Sequence, residues 1–323
     1  MRPPIKRINW EYKKLISELA DKKILIDVRE RKLSKEEFIK KYNRSLWEYL
    51  YSIYSYDNNC SIKIIKIDDS VKEQINAKIS HEYSELERSP VYFDEDDVEV
   101  NQHYISKIDR TELGYEKIWY VLFKNSKYPF GFDQEKEYIQ TIKENIFFVG
   151  NLLILRGQSS NLPSLKNKFL IDFGLQENNI EDITLKMDLL DAFNRLKESG
   201  NLELKTHEVK KDNPFSAIQA SHITFSEPME DGDLDDIVDE ESEIAKLLSE
   251  AEEISKTLSY TYEDDSGFKE NAKISIGKGS KSVRIMNKIS DMAIFALAGG
   301  IVGIYDELQQ NADNLLDSES DSQ

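Results

Sequence analysis

The chain contains 323 residues with a formal net charge of −18, and 39% of its residues are hydrophobic. This apolar content excludes a wholly disordered chain, and the single cysteine, Cys60, excludes an intramolecular disulfide and a multi-cysteine zinc site. The basic residues near the N terminus are not followed by an apolar run, so we expect no secretory signal and a cytoplasmic location.

The first predicted region, residues 1–130, mixes helices and strands. A Ser-x-x-Glu capping box starts a helix over Ser34–Tyr56, where aromatic and aliphatic residues recur at three- and four-residue spacing. Ser61–Ile67 alternates as a strand does, and Val71–Ile79 returns to helical spacing. Lys117–Lys124 is rich in β-preferring residues and predicts a strand. Turn-forming residues near 130 then predict the end of an N-terminal α+β domain.

Residues 131–225 predict a central α+β domain with its elements in the order strand, helix, strand, helix, strand, strand. One helix spans Leu162–Phe173, with Asn161 as its cap and Gly174 at the position of a left-handed C-cap. Four strands are also predicted: Ile146–Leu155, with a break at Gly150–Asn151, Ile183–Leu185, Asn201–Val209 and Ile218–Ser226. A second helix is predicted at Met187–Glu198.

The negative charge is concentrated in two stretches. Ser226–Asp265 holds 16 acidic residues and two lysines, and Tyr305–Gln323 holds six acids and no base. Removing the net charges of −14 and −6 on these stretches from −18 leaves +2 for the rest of the chain. Acidic runs repel themselves, stay solvated and act as interaction segments. We predict that the first stretch, residues 226–265, is partly helical because its apolar residues recur at helical spacing: Ile237, Ile244, Leu247, Leu248, Ile254 and Leu258.

Residues 266–310 predict a hairpin followed by an apolar helix. Lys273–Ile276 and Val283–Met286 flank the glycine turn Gly277–Ser280. A helix capped by Ser290 or Asp291 is expected to run to about Gln310. Its uncharged part is 14 residues long and too short to span a bilayer, which needs about 20. Residues 311–323 are predicted to be a disordered acidic tail. The fold class is therefore α+β: mixed small sheets with packed helices, an acidic segment and an acidic C-terminal tail.

The basic strip Lys273–Lys288 is the main candidate binding site. It contains five cations and no acid: Lys273, Lys278, Lys281, Arg284 and Lys288. Cations bind phosphate or carboxylate groups where nearby glycines leave backbone N–H groups accessible. The glycine-to-lysine spacing does not match a Walker A loop. Three interpretations remain open: a solvated hairpin face, pairing with the acidic segment of the same or another subunit, and contact with a nucleic-acid backbone.

A metal-dependent nuclease is the catalytic alternative. In it Asp172 and Glu203 would hold a divalent ion and Lys205 would steer water or phosphate. Against it, Asp172 is predicted near the end of a helix and not on a strand beside Glu203. Among other candidates, His207 and His222 are predicted on adjacent strands, and Gly157–Ser160 joins a strand to a helix as a phosphate-binding turn does. No residue pattern indicates a cofactor or a dedicated metal site.

These observations favour a non-enzymatic, cytoplasmic interaction or assembly protein that associates with a protein partner or with itself. The acidic segment and the basic hairpin would mediate association, and the C-terminal segment with Gly299, Gly300 and Gly303 would help oligomerisation. The first alternative is a nucleic-acid-associated protein that is autoinhibited by its acidic segment. No membrane association is expected.

Overall fold

The computed structural model describes most of the chain between residues 60 and 320; the segments outside the description are 1–59, 88, 90, 92, 94–97, 111–113, 130–134, 199–201, 211–221, 227–251, 264–268, 288 and 321–323. The predicted helix Ser34–Tyr56, most of the acidic segment and Lys288 therefore lie outside the described residues. For several strands, including those at 202–210 and 222–226, the description covers the backbone alone.

The described residues fall into two compact units, residues 60–188 with 281–284 and residues 189–280 with 285–320. In chain order the first unit contains β1 (Cys60–Ile67), α1 (Asp69–His81), β2 (His103–Arg110), β3 (Glu116–Pro129), β4 (Glu135–Val149), β5 (Leu152–Gly157), α2 (Leu162–Phe173), β6 (Ile180–Asp182) and α3 (Ile183–Lys186). The second contains α4 (Leu189–Glu198), β7 (Leu202–Lys210), β8 (His222–Ser226), β9 (Glu252–Glu263), β10 (Lys269–Gly277) and α5 (Asp291–Ser320), and β11 (Val283–Ile285) has residues in both.

The first unit is built on an antiparallel sheet in the strand order β2-β3-β4-β5-β1, with the short strand β6 also paired to β1. One face packs on α1 and α2, where the core includes Ile75, Ile118, Ile146, Phe169 and Phe173. Side chains that point to the other face, among them Ile62, Phe147 and Ile154, are buried as well. Burial on both faces explains why β1 and β5 read as nearly continuous apolar runs.

Local sequence signals set the ends of these elements. The Asp68 side chain accepts a hydrogen bond from Val71 N at 2.8 Å and caps α1. Gly150, at φ +58°, begins the two-residue turn that joins β4 to β5. Gly174, at φ +66°, ends α2 in the left-handed conformation, as the sequence predicts.

The second unit contains a four-stranded antiparallel sheet in the order β10-β9-β7-β8, with α4 and α5 packed against it. Leu258, Ile274 and Ile276 are buried. Helix α5 begins after Ser290, whose Oγ accepts a hydrogen bond from Ala293 N at 3.2 Å. No helix within the described ranges has the length and apolar character that crossing a membrane requires.

The structure confirms mixed α+β architecture and corrects several predicted elements. Ile183–Leu185, predicted as a strand, lies in α3 because the Asp182 carboxylate accepts a hydrogen bond from Leu185 N at 3.1 Å and caps a helical turn. Ile254 and Leu258, predicted on a helix, lie in β9, where pairing with both β7 and β10 outweighs the helical spacing.

Two predicted boundaries also differ from the structure. The boundary at residue 130 falls inside the β3–β4 hairpin, whose paired strands lie in one compact unit. Helix α5 continues to Ser320, so the predicted disordered tail 311–323 is helical over its first ten residues. The sequence after Gln310 contains no glycine or proline that would stop the helix.

Candidate functional site

The basic strip forms the hairpin that its glycine turn predicts. Met286 N donates to Lys273 O at 2.7 Å, and Ser280 N donates to Gly277 O at 3.0 Å. Gly279 has φ +67°, in the left-handed region that glycine adopts without strain. Ser280 Oγ accepts a further hydrogen bond from Gly277 N at 3.0 Å and closes the turn. The turn is therefore well defined by its own hydrogen bonds.

Burial separates the strip into apolar and charged positions. The side chains of Ile274, Ile276, Val283 and Ile285 are buried. The four described cations of the strip are all exposed: Lys273, Lys278, Lys281 and Arg284. The buried residues anchor the strip in the fold, and the cations are presented to solvent.

Two contacts fasten the loop that follows the turn. Lys281 Nζ donates to Leu185 O in α3 at 3.2 Å, and a cation at the end of a helix is favourable. Ser282 Oγ lies 3.3 Å from Ser159 Oγ. The loop is therefore held against α3 and the β5–α2 turn, and the Lys281 ammonium has one defined acceptor.

The β5–α2 turn, Gly157–Asn161, is held by a carboxylate of the chain itself, that of Glu144 on β4. Glu144 Oε1 accepts hydrogen bonds from Gln158 N at 2.9 Å and Asn161 Nδ2 at 3.0 Å. A Cβ on Gly157 would lie 2.5 Å from the same oxygen, so glycine leaves room for the carboxylate. A phosphate would compete with Glu144 for the Gln158 amide. The chain's own carboxylate thus stabilises this turn, and the turn's resemblance to a phosphate-binding turn does not support a phosphate site there.

His103 completes this cluster and was not identified from the sequence. Its Nε2 lies 2.8 Å from Glu144 Oε2, and both side chains are buried. His103 lies on β2 and Glu144 on β4, the two neighbours of β3, and 41 residues separate them in the chain. No short motif joins residues so far apart.

Asp172 lies near the end of α2, as predicted, and is engaged by structural partners. Its carboxylate accepts from Tyr120 Oη at 3.1 Å and pairs with Lys168 Nζ at 2.7 Å. Its carbonyl accepts from Lys78 Nζ at 2.8 Å and Tyr83 Oη at 3.2 Å. Burial and the Asp172 charge raise the pKa of Tyr83 to about 12, and the same two causes raise the pKa of Tyr120 well above its usual value.

The partners proposed for Asp172 lie in β7. Glu203 is paired with Ser259 of β9, and Lys205 lies at a register shift between Leu204 and Thr206. Only the backbone of β7 is described. The nuclease site therefore remains a prediction.

The two candidate histidines lie on paired strands, as predicted. In the register of β7 and β8, His207 is opposite Phe225 and His222 is opposite Lys210. Three residues along a strand correspond to about 10 Å, so the two positions are not cross-strand neighbours. The described residues contain no group of three or more His, Cys, Asp or Glu side chains that could hold a metal ion.

A second buried ionic cluster lies where β1, β6 and α2 meet. Asp182 Oδ2 is 2.6 Å from Lys63 Nζ and 3.2 Å from Lys166 Nζ, and Lys166 also pairs with Glu177. Asp182 Oδ1 accepts from Thr184 Oγ1 at 3.0 Å. Opposite charges and hydrogen bonds satisfy one another here, which indicates a structural role.

The fold and these sites define a two-unit α+β protein with an exposed basic hairpin and internally satisfied ionic clusters. Comparison with known proteins gives no relative: no protein-family model, no curated protein and no solved structure matches the chain.

Proposed function

We propose that this chain is a non-enzymatic interaction protein whose basic hairpin binds an acidic protein segment. The observation that carries the proposal is the exposure of Lys273, Lys278, Lys281 and Arg284 on a hairpin whose apolar side chains are buried. The sequence between Lys273 and Lys288 contains no acid that could neutralise these cations locally.

Charge complementarity favours an acidic protein segment over a nucleic acid. The chain has a net charge of −18, and its acidic segment carries net −14 over 40 residues. A nucleic acid would be repelled by this field, whereas the acidic segment of the same or a second copy matches the hairpin in charge. Exposed charge pairs are worth roughly 1 kcal/mol or less each and are screened by salt, so association should weaken as salt increases.

The buried ionic groups support a non-enzymatic role. Glu144 and Asp182 both have hydrogen-bonding partners from the protein itself, and Asp172 is held by tyrosine and lysine side chains. A catalytic acid must donate a proton to a substrate and a catalytic base must accept one from it, so its carboxyl group must be within reach of the substrate. These carboxylates are instead used to join strands, turns and helices.

A charge-reversal pair tests the hairpin directly. We expect K278E/K281E to lower the mass that size-exclusion chromatography with light scattering reports at low salt, relative to the wild-type chain. The matched control is K127E/K143E, which makes the same charge change at two exposed lysines of the β3–β4 hairpin. If the wild-type chain and K278E/K281E both have the mass of a monomer at every salt concentration, self-association is contradicted.

The acidic segment must be tested at constant length. β8 and β9 both pair antiparallel with β7, so they run parallel and need a long return connection. Deleting the segment would therefore also break the sheet. Replacing the nine acids between residues 230 and 243 by Asn and Gln removes the charge and keeps the connection. We expect the salt-sensitive association to disappear; a gain in salt-sensitive DNA or RNA binding would instead support the nucleic-acid alternative.

A further inference from the structure

The hairpin of β3 and β4 is longer than the sheet to which it belongs. In the described part of the chain, β2 pairs with β3 only as far as Leu122, and β5 pairs with β4 only from Asn145 onwards. The two hairpin strands remain paired with each other for seven further positions, starting with Phe123 opposite Thr141. At about 3.3 Å per residue, this two-stranded arm extends roughly 20 Å past the neighbouring strands.

The outer edge of β4 in this arm has backbone groups that point away from β3. Asn101 N donates to Phe123 O at 2.6 Å, on the side of β3 that faces away from β4. Positions in an antiparallel pair alternate between those that exchange backbone hydrogen bonds and those that do not. Thr141 lies opposite Phe123, and Ile139 is two positions further along the arm. The N–H and C=O groups of both therefore point outward, to an edge with which no strand pairs among the described residues.

The side chains along this edge are accessible. Tyr138 is 43% exposed. Gln140 and Thr141 are exposed, and Ile139 and Ile142 are half-buried. A two-stranded ribbon alone is marginally stable in water, and further strands stabilise it. Since an unpaired strand edge is a template for another chain, this edge is suited to receive an additional strand.

The sequence of the edge is complementary to itself when two copies run antiparallel. With Gln140 on a twofold axis, Tyr138 lies opposite Ile142 of the second copy. This is an aromatic pair with a β-branched residue, which stabilises antiparallel strands. Ile139 lies opposite Thr141 of the second copy, so the outward backbone groups of these two positions meet and can exchange hydrogen bonds. Twofold symmetry forms each of these pairs twice.

We propose that residues 138–142 of β4 pair antiparallel with the same residues of a second copy, so that the two arms form one four-stranded sheet. These five residues carry no charge. Association through the arm should therefore persist at high salt, whereas association through the basic hairpin should weaken. The proposal does not rest on the function proposed for the hairpin, and the salt dependence distinguishes the two surfaces.

A proline at an outward position tests the pairing. The Thr141 N–H is not used between β3 and β4, so T141P should keep the hairpin and block the edge. At high salt, size-exclusion chromatography with light scattering should report twice 37.5 kDa for the wild-type chain and 37.5 kDa for T141P. The matched control N125P makes the same change on the outer edge of β3 and should keep the larger mass, as should K278E/K281E. A monomeric wild-type chain at high salt, or an unchanged mass for T141P, would overturn the proposal.

A cysteine on the twofold axis gives a second test, which also decides the question if T141P does not fold. Gln140 would face Gln140 of the second copy at a position without mutual backbone hydrogen bonds, where Cα atoms are about 4.5 Å apart and a disulfide can form. The native thiol of Cys60 is buried and should not compete. Oxidised Q140C should run as a covalent dimer on a non-reducing gel, and N125C, on the other edge of the arm, should remain a monomer. Equal crosslinking of the two variants, or none in Q140C, would contradict pairing through β4.

Discussion

Glu144 Oε2 lies 2.8 Å from Nε2 of His103, and the other oxygen of the same carboxylate holds the β5–α2 turn. One side chain on β4 thus joins the edge strand β2 to the start of α2. Three hydrogen bonds converge on a fully buried group, so this carboxylate should contribute strongly to stability.

Removing this carboxylate should be costly, and its effect should depend on Gly157. We expect E144A to lower the free energy of unfolding by about 3–5 kcal/mol, because three donors lose a buried acceptor. G157A alone should cost about 1–3 kcal/mol, since its Cβ would lie 2.5 Å from Glu144 Oε1. Urea denaturation of both variants and the double variant measures their coupling. The G157A penalty should largely vanish in the E144A background; simple additivity would contradict the contact.

The tyrosines at the end of α2 predict a loss of stability at alkaline pH. Burial and Asp172 raise the pKa of Tyr83 to about 12 in the folded chain, above the usual value of 10. The unfolded chain therefore ionises first, and the stabilisation is complete below pH 10 and lost as the pH rises from about 10 to 12. The pKa of Tyr120 is also raised, so its ionisation adds to the same loss of stability at alkaline pH.

Y120F separates the hydrogen bond from the ionisation. It should lower the free energy of unfolding at neutral pH by about 1–2 kcal/mol through loss of the bond to Asp172. It should also make the alkaline decline shallower, because one titrating group has been removed. Denaturant unfolding at a series of pH values measures both effects. A wild-type stability that is constant from pH 9 to pH 12 would show that the tyrosine pKa values are not raised.

Asp182 should be essential to the packing of α2 on β1. D182A would leave the Lys63 and Lys166 ammonium groups near each other without the carboxylate between them and would remove the cap of α3. We expect a loss of about 3–5 kcal/mol in the free energy of unfolding. K186Q, which removes only an exposed pair with Glu181, should cost less than about 1 kcal/mol. Similar losses for the two variants would contradict a structural role for the buried cluster.

The glycines of α5 offer a test of self-association that leaves the fold intact. A Cβ at Gly299 or Gly303 meets no atom within 4 Å, whereas a Cβ at Gly300 lies 3.2 Å from Leu196 Cδ2. G299A and G303A should therefore raise the free energy of unfolding by roughly 1 kcal/mol each through helix propensity, and G300A should gain less. The exposed Met292 lies at helical spacing from Gly299 and Gly303.

Light scattering then shows whether this helix face packs on another subunit. If the glycines permit close helix contact, G299A and G303A should reduce association although they stabilise the subunit. Increased stability with unchanged association would exclude the glycine face from the interface. G300A serves as the internal-packing control in the same experiment.

The elements most accurately predicted from the sequence are those that local interactions define. Helix α2 has the predicted limits, because Pro163 fits the first helical turn and Gly174 is the left-handed cap at its end. The glycine turn of the basic hairpin is likewise set by its own residues. Prediction failed where longer-range pairing competes with local spacing, as at Ile254 and Leu258 in β9.

By itself, the amino-acid sequence determined the α+β class, the segregated charge, the capped helix α2 and the basic hairpin, because each depends on residues close together in the chain. The tertiary structure alone decided which ionisable residues meet. Glu144 reaches His103, 41 residues away in the chain, and Asn145 lies between Trp119 and Arg156, only after strands β2 to β5 have been aligned in one sheet. Burial, which no single segment specifies, then strengthens those contacts and leaves the Asn145 amide without a hydrogen-bond partner among the residues that the structure describes.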